Sequence, residues 1–411
     1  MTVSEVRQQL RENLEQDLPD YLQMLKKMVD INSFTSNPAG VDRLGQLMIS
    51  YFTRLGFTVE RVLAENPRFG HHLVLTRPGR STRKIGLVSH LDTVFPAAEE
   101  AENNFVWREV EDRIYGPGTV DIKGGTVMIY MLLAALQTVL PEVYEDVTWV
   151  ILLNAAEEEL VEDFGQLCQD HLTEEGLACL VFEGGNWAED VWSVVTARKG
   201  RAIYHITTTG RGAHAGAAHP AGANALVQLG HTIQQIAALT DYERELTFNV
   251  GAAMGGSVVN RVPHQATAAV EMRTFSPDVF RAGVEQMLAL NGPGVVQSGN
   301  GQYGCQVQVE LLTEAQPWDA NPQSDQLLQL WQAAATELGY TVAAEARGGL
   351  SDGNWTWDVI PTLDGLGPIG ANAHCSEQSA DGEKEQEFVL RSSFVPKTML
   401  NILAILKLLE R

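Results

Sequence analysis

Apolar residues recur at i, i+3 and i+4 through "DYLQMLKKMVDI" and "VDRLGQLMISYFTRLGF", which predicts helix over about residues 5–56. Short apolar runs of strand length follow: "TVERVLA", "HHLVLTR", "KIGLVSH", "VTWVILLNA" and "LACLVFEG". The longer run "GGTVMIYMLLAALQTVL" lies between two of them and reads as a helix. Continuous apolar strands alternating with helices predict a sheet covered on both faces, the α/β layered class.

The pattern changes near Arg198. "RAIYHITTTG" alternates like a strand, "GANALVQLGHTIQQIAAL" is helical, and "TFNVGAAM" and "QATAAVEMRTF" are strands. "SPDVFRAGVEQMLAL" opens on a Ser-Pro helix signal, and "GCQVQVELL" closes the series as a strand. The order β-α-β-β-α-β is a split βαβ unit. After it the α/β character returns, through "SDQLLQLWQAAATELGY" to the C-terminal helix "PKTMLNILAILKLLER". One domain is therefore expected inside another, the insert at residues 198–313 and the host at 1–197 and 314–411.

Composition narrows the partners. With 52 acidic and 29 basic residues the formal charge is −23. So acidic a chain repels nucleic acid and anionic lipid, and neither is expected as a partner. No apolar run is expected to be long enough to cross a bilayer. The charged N-terminal stretch has no signal-peptide pattern. The cysteines, Cys168, Cys179, Cys305 and Cys375, fit no disulfide framework. A cytoplasmic protein with reduced thiols is the simplest expectation.

Several strands end in chemistry. "KIGLVSHLD" finishes in His90 and Asp92, which point the same way in an extended chain. There an aspartate can accept one ring N–H of the histidine and turn the other nitrogen outward, as beside a metal. "WVILLNAAEEE" ends in Glu157, Glu158 and Glu159, and "ACLVFEGG" in Glu183. Asp121 stands in a Gly-rich turn before a helix, and His374 in the Gly-rich loop "GLGPIGANAH". Each has an ordinary reading of its own: a surface His–Asp pair, a helix cap, acids suited to a helix start. Together they form a set at the ends of separate core elements, where open α/β sheets bind ligands. Two histidines and three carboxylates exceed one tetrahedral ion. They suit two first-row cations sharing one carboxylate.

"SHLDTVFP", "GPGTVDIKGG", "NAAEEE", "FEGG", "GRGAHAGAAHPAGANAL" and "GLGPIGANAH", in this order and spacing, resemble the dizinc metallopeptidase family of glutamate carboxypeptidase (the folate-cleaving type), aminoacylase and succinyl-diaminopimelate desuccinylase. The "SDGN" and "LDGLGP" spellings are nearest the glutamate carboxypeptidase branch. The resemblance implies a three-layer zinc-exopeptidase-like catalytic domain with an inserted ferredoxin-like α+β domain that serves as lid and dimer interface.

It also implies roles. Asp121 would bridge two ions, His90 and Glu183 completing one shell, Glu158 and His374 the other. Asp92 would orient His90, and Glu157 would be the general base toward water. His214, in "GRGAHAG", would stabilise the oxyanion, usually from the partner subunit of a homodimer. Asn260 and Arg273 would bind the substrate's carboxylate end. Arg347, Gly349, Ser351 and Asn354, in "RGGLSDGNWTW", would form a substrate loop. Zinc is the ion implied; cobalt or manganese would suit the same ligands.

The chain departs from the family pattern in places. Ala156 stands where an aspartate is usual, Glu159-Leu160-Val161 replaces small residues, and His219 takes a common proline's place. A charged stretch follows His374, and Gln316 stands where some carboxypeptidases have arginine. The expected function is hydrolysis of an amide bond next to a free carboxylate, in a small peptide or, alternatively, in an N-acyl amino acid. A metal-free binding protein that keeps the fold is the competing class.

Overall fold

The computed structural model describes residues 2–159, 162–188 and 191–410. Its chain divides into two compact units: Met1–Thr196, Ala320–Ala346 and Ser351–Arg411 in one, Ala197–Asp319 and Arg347–Leu350 in the other. Residues 314–319, where strand Gly304–Ala315 runs on past the expected boundary, and the short segment Arg347–Leu350, both placed in the host by the sequence, cluster with the insert instead. There Arg198 donates to the carbonyls of Gly349 (3.0 Å) and Leu350 (3.1 Å).

In the first unit six strands form one mixed sheet, ordered Thr58–Leu63, His71–Arg77, Thr148–Asn154, Lys84–His90, Gly176–Val181, Thr362–Leu363. The first two pairings are antiparallel and the rest parallel. The period-two pattern sorts side chains between two cores. Leu73, Leu75, Ile85, Leu87, Trp149, Ile151, Leu153 and Leu180 join the larger one, which contains helix Gly124–Val139 and its neighbours Val3–Val29 and Phe394–Leu409. Val74, Val88, Val150, Leu152, Cys179 and Val181 face the other way, against Phe164, Cys168 and Leu172 of helix Glu162–Leu172. Both faces are covered, so the unit has three layers. Each large aliphatic side chain buried this way contributes about 1.5–3 kcal/mol.

Thr119–Val139 and Arg391–Leu409 do have the length and mean hydropathy, 1.4 and 1.3, of a bilayer-crossing helix, contrary to the sequence expectation. They lie 83% and 67% inside the fold, as core helices do. All four cysteines are free thiols.

The second unit is an antiparallel sheet, ordered Thr247–Gly255, Gln265–Thr274, Gly200–Thr209, Gly304–Ala315, Gly292–Gln297. Helices Ala225–Ala237 and Pro277–Leu288 cross it. The first four positions have ferredoxin-like order. The edge strand Gly292–Gln297 is an addition to the expected β-α-β-β-α-β series. Its sequence, "GPGVVQ", opens with turn residues and hides the strand.

Candidate metal centre

Three parallel neighbours, Thr148–Asn154, Lys84–His90 and Gly176–Val181, bring their carboxyl ends side by side; His90 pairs in register with Asn154. His90 closes its strand, Glu157 and Glu158 follow the second within a short 3₁₀ turn, and Glu183 follows the third. Asp121 lies in the turn Thr119–Lys123, just before helix Gly124–Val139. Gly118 opens that turn at φ +74°, and a Cβ there would meet Thr93 at 2.7 Å. His374 sits in the loop after Gly370–Ala371 at φ 66°, a left-handed conformation uncommon outside glycine.

These side chains converge. Asp121 Oδ1 lies 3.0 Å from His90 Nε2, and Oδ2 lies 3.1 Å from His374 Nε2. Glu183 Oε1 is 3.6 Å from His90 Nε2, and Glu158 Oε2 is 3.2 Å from His374 Nε2. Ligand atoms of His90, Asp121 and Glu183 fall within 4.8 Å of one another, as do those of Asp121, Glu158 and His374, and those of His90, Glu157 and Glu158.

Asp92 is a junction. Its Oδ1 lies 3.3 Å from His90 Nδ1 and accepts the Glu157 N–H at 3.0 Å. Its Oδ2 accepts the Glu158 N–H (3.2 Å) and the Thr35 hydroxyl (2.7 Å). It therefore orients both the histidine and the turn that carries the two glutamates. Ala156 lacks a carboxylate, but the neighbourhood does not: Asp352 Oδ1 accepts from Asn154 Nδ2 at 2.8 Å, and Asn154 Oδ1 accepts the Ala156 N–H at 3.0 Å. His72 adds a further hold. Its Nδ1 accepts the Ala155 N–H (3.0 Å), and its Nε2 lies 3.3 Å from Asp163 Oδ2. Of the Glu159-Leu160-Val161 departure, Leu160 and Val161 lie outside the described residues.

The electrostatics call for cations. Burial pushes Glu157 well above the usual carboxylate range, and Glu158 and Glu183 push it further against the opposing pull of His90. Burial, with Asp121 next, raises Glu158 to about 7. Burial raises Asp352 to about 7 despite its bond from Asn154. Hydrogen bonds to Asp121 and Glu158 hold His374 up at about 11. Burial works against a charged His90, yet Asp121 and Asp92 keep its pKa well above normal. Burial likewise opposes ionisation of Asp121, but His374 and His90 hold it below the carboxylate range. Protons on the two imidazoles thus stand where metal ions would. The buried oxygen Glu158 Oε1 has no hydrogen-bond partner. Two histidines, four crowded carboxylates and an orphaned oxygen fit a pair of divalent cations.

The second unit holds His214, Asn260 and Arg273. His214 Nδ1 accepts the N–H groups of Gly216 (3.1 Å) and Ala217 (3.0 Å), so the neutral ring carries its proton on Nε2. The Ala215 N–H donates to the Asn260 carbonyl at 2.9 Å. His214 and Asn260 line an open cleft of about 860 Å³ together with Arg211, Arg261, His264 and Tyr303. The side chain of Arg211 has no polar partner among the described residues, and that of Arg261 meets only His264 Nδ1, at 3.4 Å. Neither arginine was singled out from the sequence, although Arg211 lies within "GRGAHAG" and Arg261 follows Asn260. Arg273 forks onto Glu271 (2.7 and 3.2 Å) and donates to the Gly348 carbonyl (2.8 Å). Arg347 belongs to this unit as well, its carbonyl accepting from Lys199 N–H at 3.0 Å.

Ser351 and Asn354 have a task the sequence did not assign. Both are buried in the first unit, Ser351 Oγ bonding Gly353 N–H and Asp364, and Asn354 Oδ1 accepting the Ser351 N–H. They build the turn Asp352–Trp355, which delivers Asp352.

The profile of peptidase family M20/M25/M40 matches residues 86–399. Carboxypeptidase G2 of Pseudomonas sp. (strain RS-16) is 30% identical over 272 residues, 66% of this chain and 63% of that protein. An acetylornithine deacetylase of Buchnera aphidicola is 23% identical over 264 residues, 60% of this chain and 65% of that one. The chain thus spans a little under two thirds of the length of these relatives. Among solved structures, the M20 family metallo-carboxypeptidase Sso-CP2 of Sulfolobus solfataricus superposes with a TM-score of 0.68 at 15% identity, covering 94% of this chain and 98% of that one. Aminopeptidase PepT of Bacillus cereus gives 0.72 at 20%, covering 95% and 99%. With three quarters of its length under one family profile, the chain belongs to peptidase family M20/M25/M40.

Proposed function

We propose that this protein is a two-metal hydrolase that cuts an amide bond next to a free carboxylate, with zinc as the first candidate ion. One observation carries the reading: the two oxygens of Asp121 face two different histidines, each flanked by its own glutamate. His90 and Glu183 would hold one ion, Glu158 and His374 the other, and Asp121 both. When bound, such ions polarise the scissile carbonyl and acidify water between them. Glu157 faces neither histidine through a hydrogen bond and is the one carboxylate of the group left to move protons. It takes a proton from water and delivers it to the leaving nitrogen. Asp92 keeps Glu157 and His90 in place. His214, with its proton on Nε2, is disposed to donate to an oxyanion.

The carboxylate preference is supported by the cleft holding Asn260, Arg211 and Arg261 in a chain of net charge −23, where arginines without a carboxylate partner favour an anionic ligand. Likeness to carboxypeptidase G2 supports cleavage at a C-terminal residue, for which the "SDGN" and "LDGLGP" spellings suggest a glutamate-like side chain; likeness to acetylornithine deacetylases supports an N-acyl amino acid. Metal analysis and a panel of peptidyl and N-acyl amino acids followed by mass spectrometry test the reading. Fewer than two ions per chain, or no hydrolysis of any amide, would overturn it.

The same proposal makes the second unit a dimer contact. Thr247–Gly255 is an edge strand, and Met254 (72% exposed), Val258 (55%) and Val259 (102%) stand out at its end. Sedimentation should give a dimer, and Val259→Lys should shift it toward monomer. Mixing inactive His214→Ala and Glu157→Gln proteins, with subunit exchange shown, should restore activity if His214 acts across the dimer.

A further inference from the structure

Glu387 ends the charged stretch "SEQSADGEKEQE", which reads as a solvated insertion after His374. Its surroundings say otherwise, for it is 0% exposed. Glu387 Oε1 accepts the N–H groups of Val120 at 2.8 Å and Asp121 at 3.2 Å. Its own N–H donates to the carbonyl of Cys375 at 2.8 Å, next to His374. The strand it opens, Phe388–Leu390, pairs with Gly370–Ala371 on one side and Arg113–Tyr115 on the other. Glu387 thus joins the segment that carries His374 to the segment that carries Asp121.

The N–H groups at the start of a helix have no intrahelical acceptor. Here the need is sharper. Asp121 (φ −122°, ψ 84°) and Ile122 (φ −139°, ψ 19°) have non-helical backbones, so regular helix geometry does not fix the Asp121 peptide. The Val120 N–H is buried, so removing its acceptor leaves a desolvated donor unpaired wherever no cavity large enough for a water is opened. The geometry points to Glu387 as a positioning residue of the candidate metal centre: its carboxylate holds the Asp121 peptide, and so sets where the two Asp121 oxygens face. A bridging carboxylate must meet two partners at once, so a small rotation of its peptide harms both. The inference rests on the two-metal reading above and adds a residue that touches neither histidine nor substrate.

Three variants separate the possibilities. Glu387→Gln keeps an acceptor oxygen at the same place; Glu387→Asp draws it back by one methylene; Glu387→Ala removes it. Zinc affinity is measured by chelator competition. The magnetic coupling between two cobalt ions is measured on cobalt-loaded protein, and circular dichroism of the metal-free forms checks folding. The expected result is Glu387→Gln within about threefold of the parent in zinc affinity. Glu387→Asp and Glu387→Ala should be weaker by about tenfold or more, with reduced cobalt coupling. If Glu387→Ala does not fold, Glu387→Asp carries the comparison. Parent affinity and parent coupling in the Asp variant would overturn the inference, as would a Gln variant as impaired as Ala. A parent protein that takes up no metal would instead overturn the two-metal reading.

Discussion

Glu157 and Glu158 are neighbours in sequence with separate tasks, and the separation is geometric. Glu158 reaches His374, whereas Glu157 is set beside His90 with its N–H tied to Asp92. Glu157→Gln removes a proton acceptor without changing shape. It should lower kcat by about 10²- to 10⁴-fold while the protein still takes up two ions, checked by steady-state kinetics and metal analysis. Asp92→Asn turns one acceptor oxygen into a donor facing backbone N–H groups. It should lower kcat by about 10- to 100-fold and weaken metal uptake, since one side chain serves both. At this scale the sequence was readable where polarity broke an apolar pattern, as at His90 and Glu183. It was silent on Asp352, Glu387 and His72, whose partners lie far away in the chain. Nothing in "SDGN" tells that Ser351 and Asn354 face inward while Asp352 approaches Asn154.

The short turn after strand Thr148–Asn154 shows how an element is held by more than its own residues. Ala155 is fixed by His72, Ala156 by Asn154, and Glu157 and Glu158 by Asp92. His72→Phe keeps the ring bulk beside Phe164 but leaves the Ala155 N–H and Asp163 without that partner. A loss of about 1–3 kcal/mol is expected, with faster amide exchange at Ala155, checked by denaturant unfolding and hydrogen exchange. Helices and buried strands followed from periodicity because burial dictates both. The edge strand Gly292–Gln297 did not, because an edge needs only one neighbour and tolerates Gly and Pro.

For the molecule as a whole, the buried carboxyls link stability to pH. Glu158 and Asp352 are raised to about 7, and Glu387 is raised to about 8 by burial. In the unfolded chain all three ionise near the usual 4–4.5. Between about pH 5 and 8 the metal-free fold therefore binds more protons than the unfolded chain, and its stability falls as pH rises. His374, held at about 11, adds to the same slope above its unfolded value near 6.5. Buried Lys123, lowered by burial to about 8, acts oppositely, but only above that pH. Metal-free protein should thus lose about 5 °C or more in Tm from pH 5 to 8, and zinc should flatten the profile. Scanning calorimetry with and without chelator checks both. The two-unit plan was legible because alternation replaced continuous apolar runs at Arg198. The exchange of Arg347–Leu350 to the insert was not, since it depends on where Arg198 and Arg273 donate.

The bond from Glu387 N–H to the Cys375 carbonyl closes the charged excursion at its base. The excursion's tip is a small turn of its own: Ser379 N–H donates to Lys384, and Gly382 N–H to Ser379. Anything grafted between residues 379 and 384 would leave and rejoin the body at one fixed point. That makes the tip a natural handle for engineers, a place to add an epitope, a dye or an anchor to a solid support while the chemistry proceeds undisturbed.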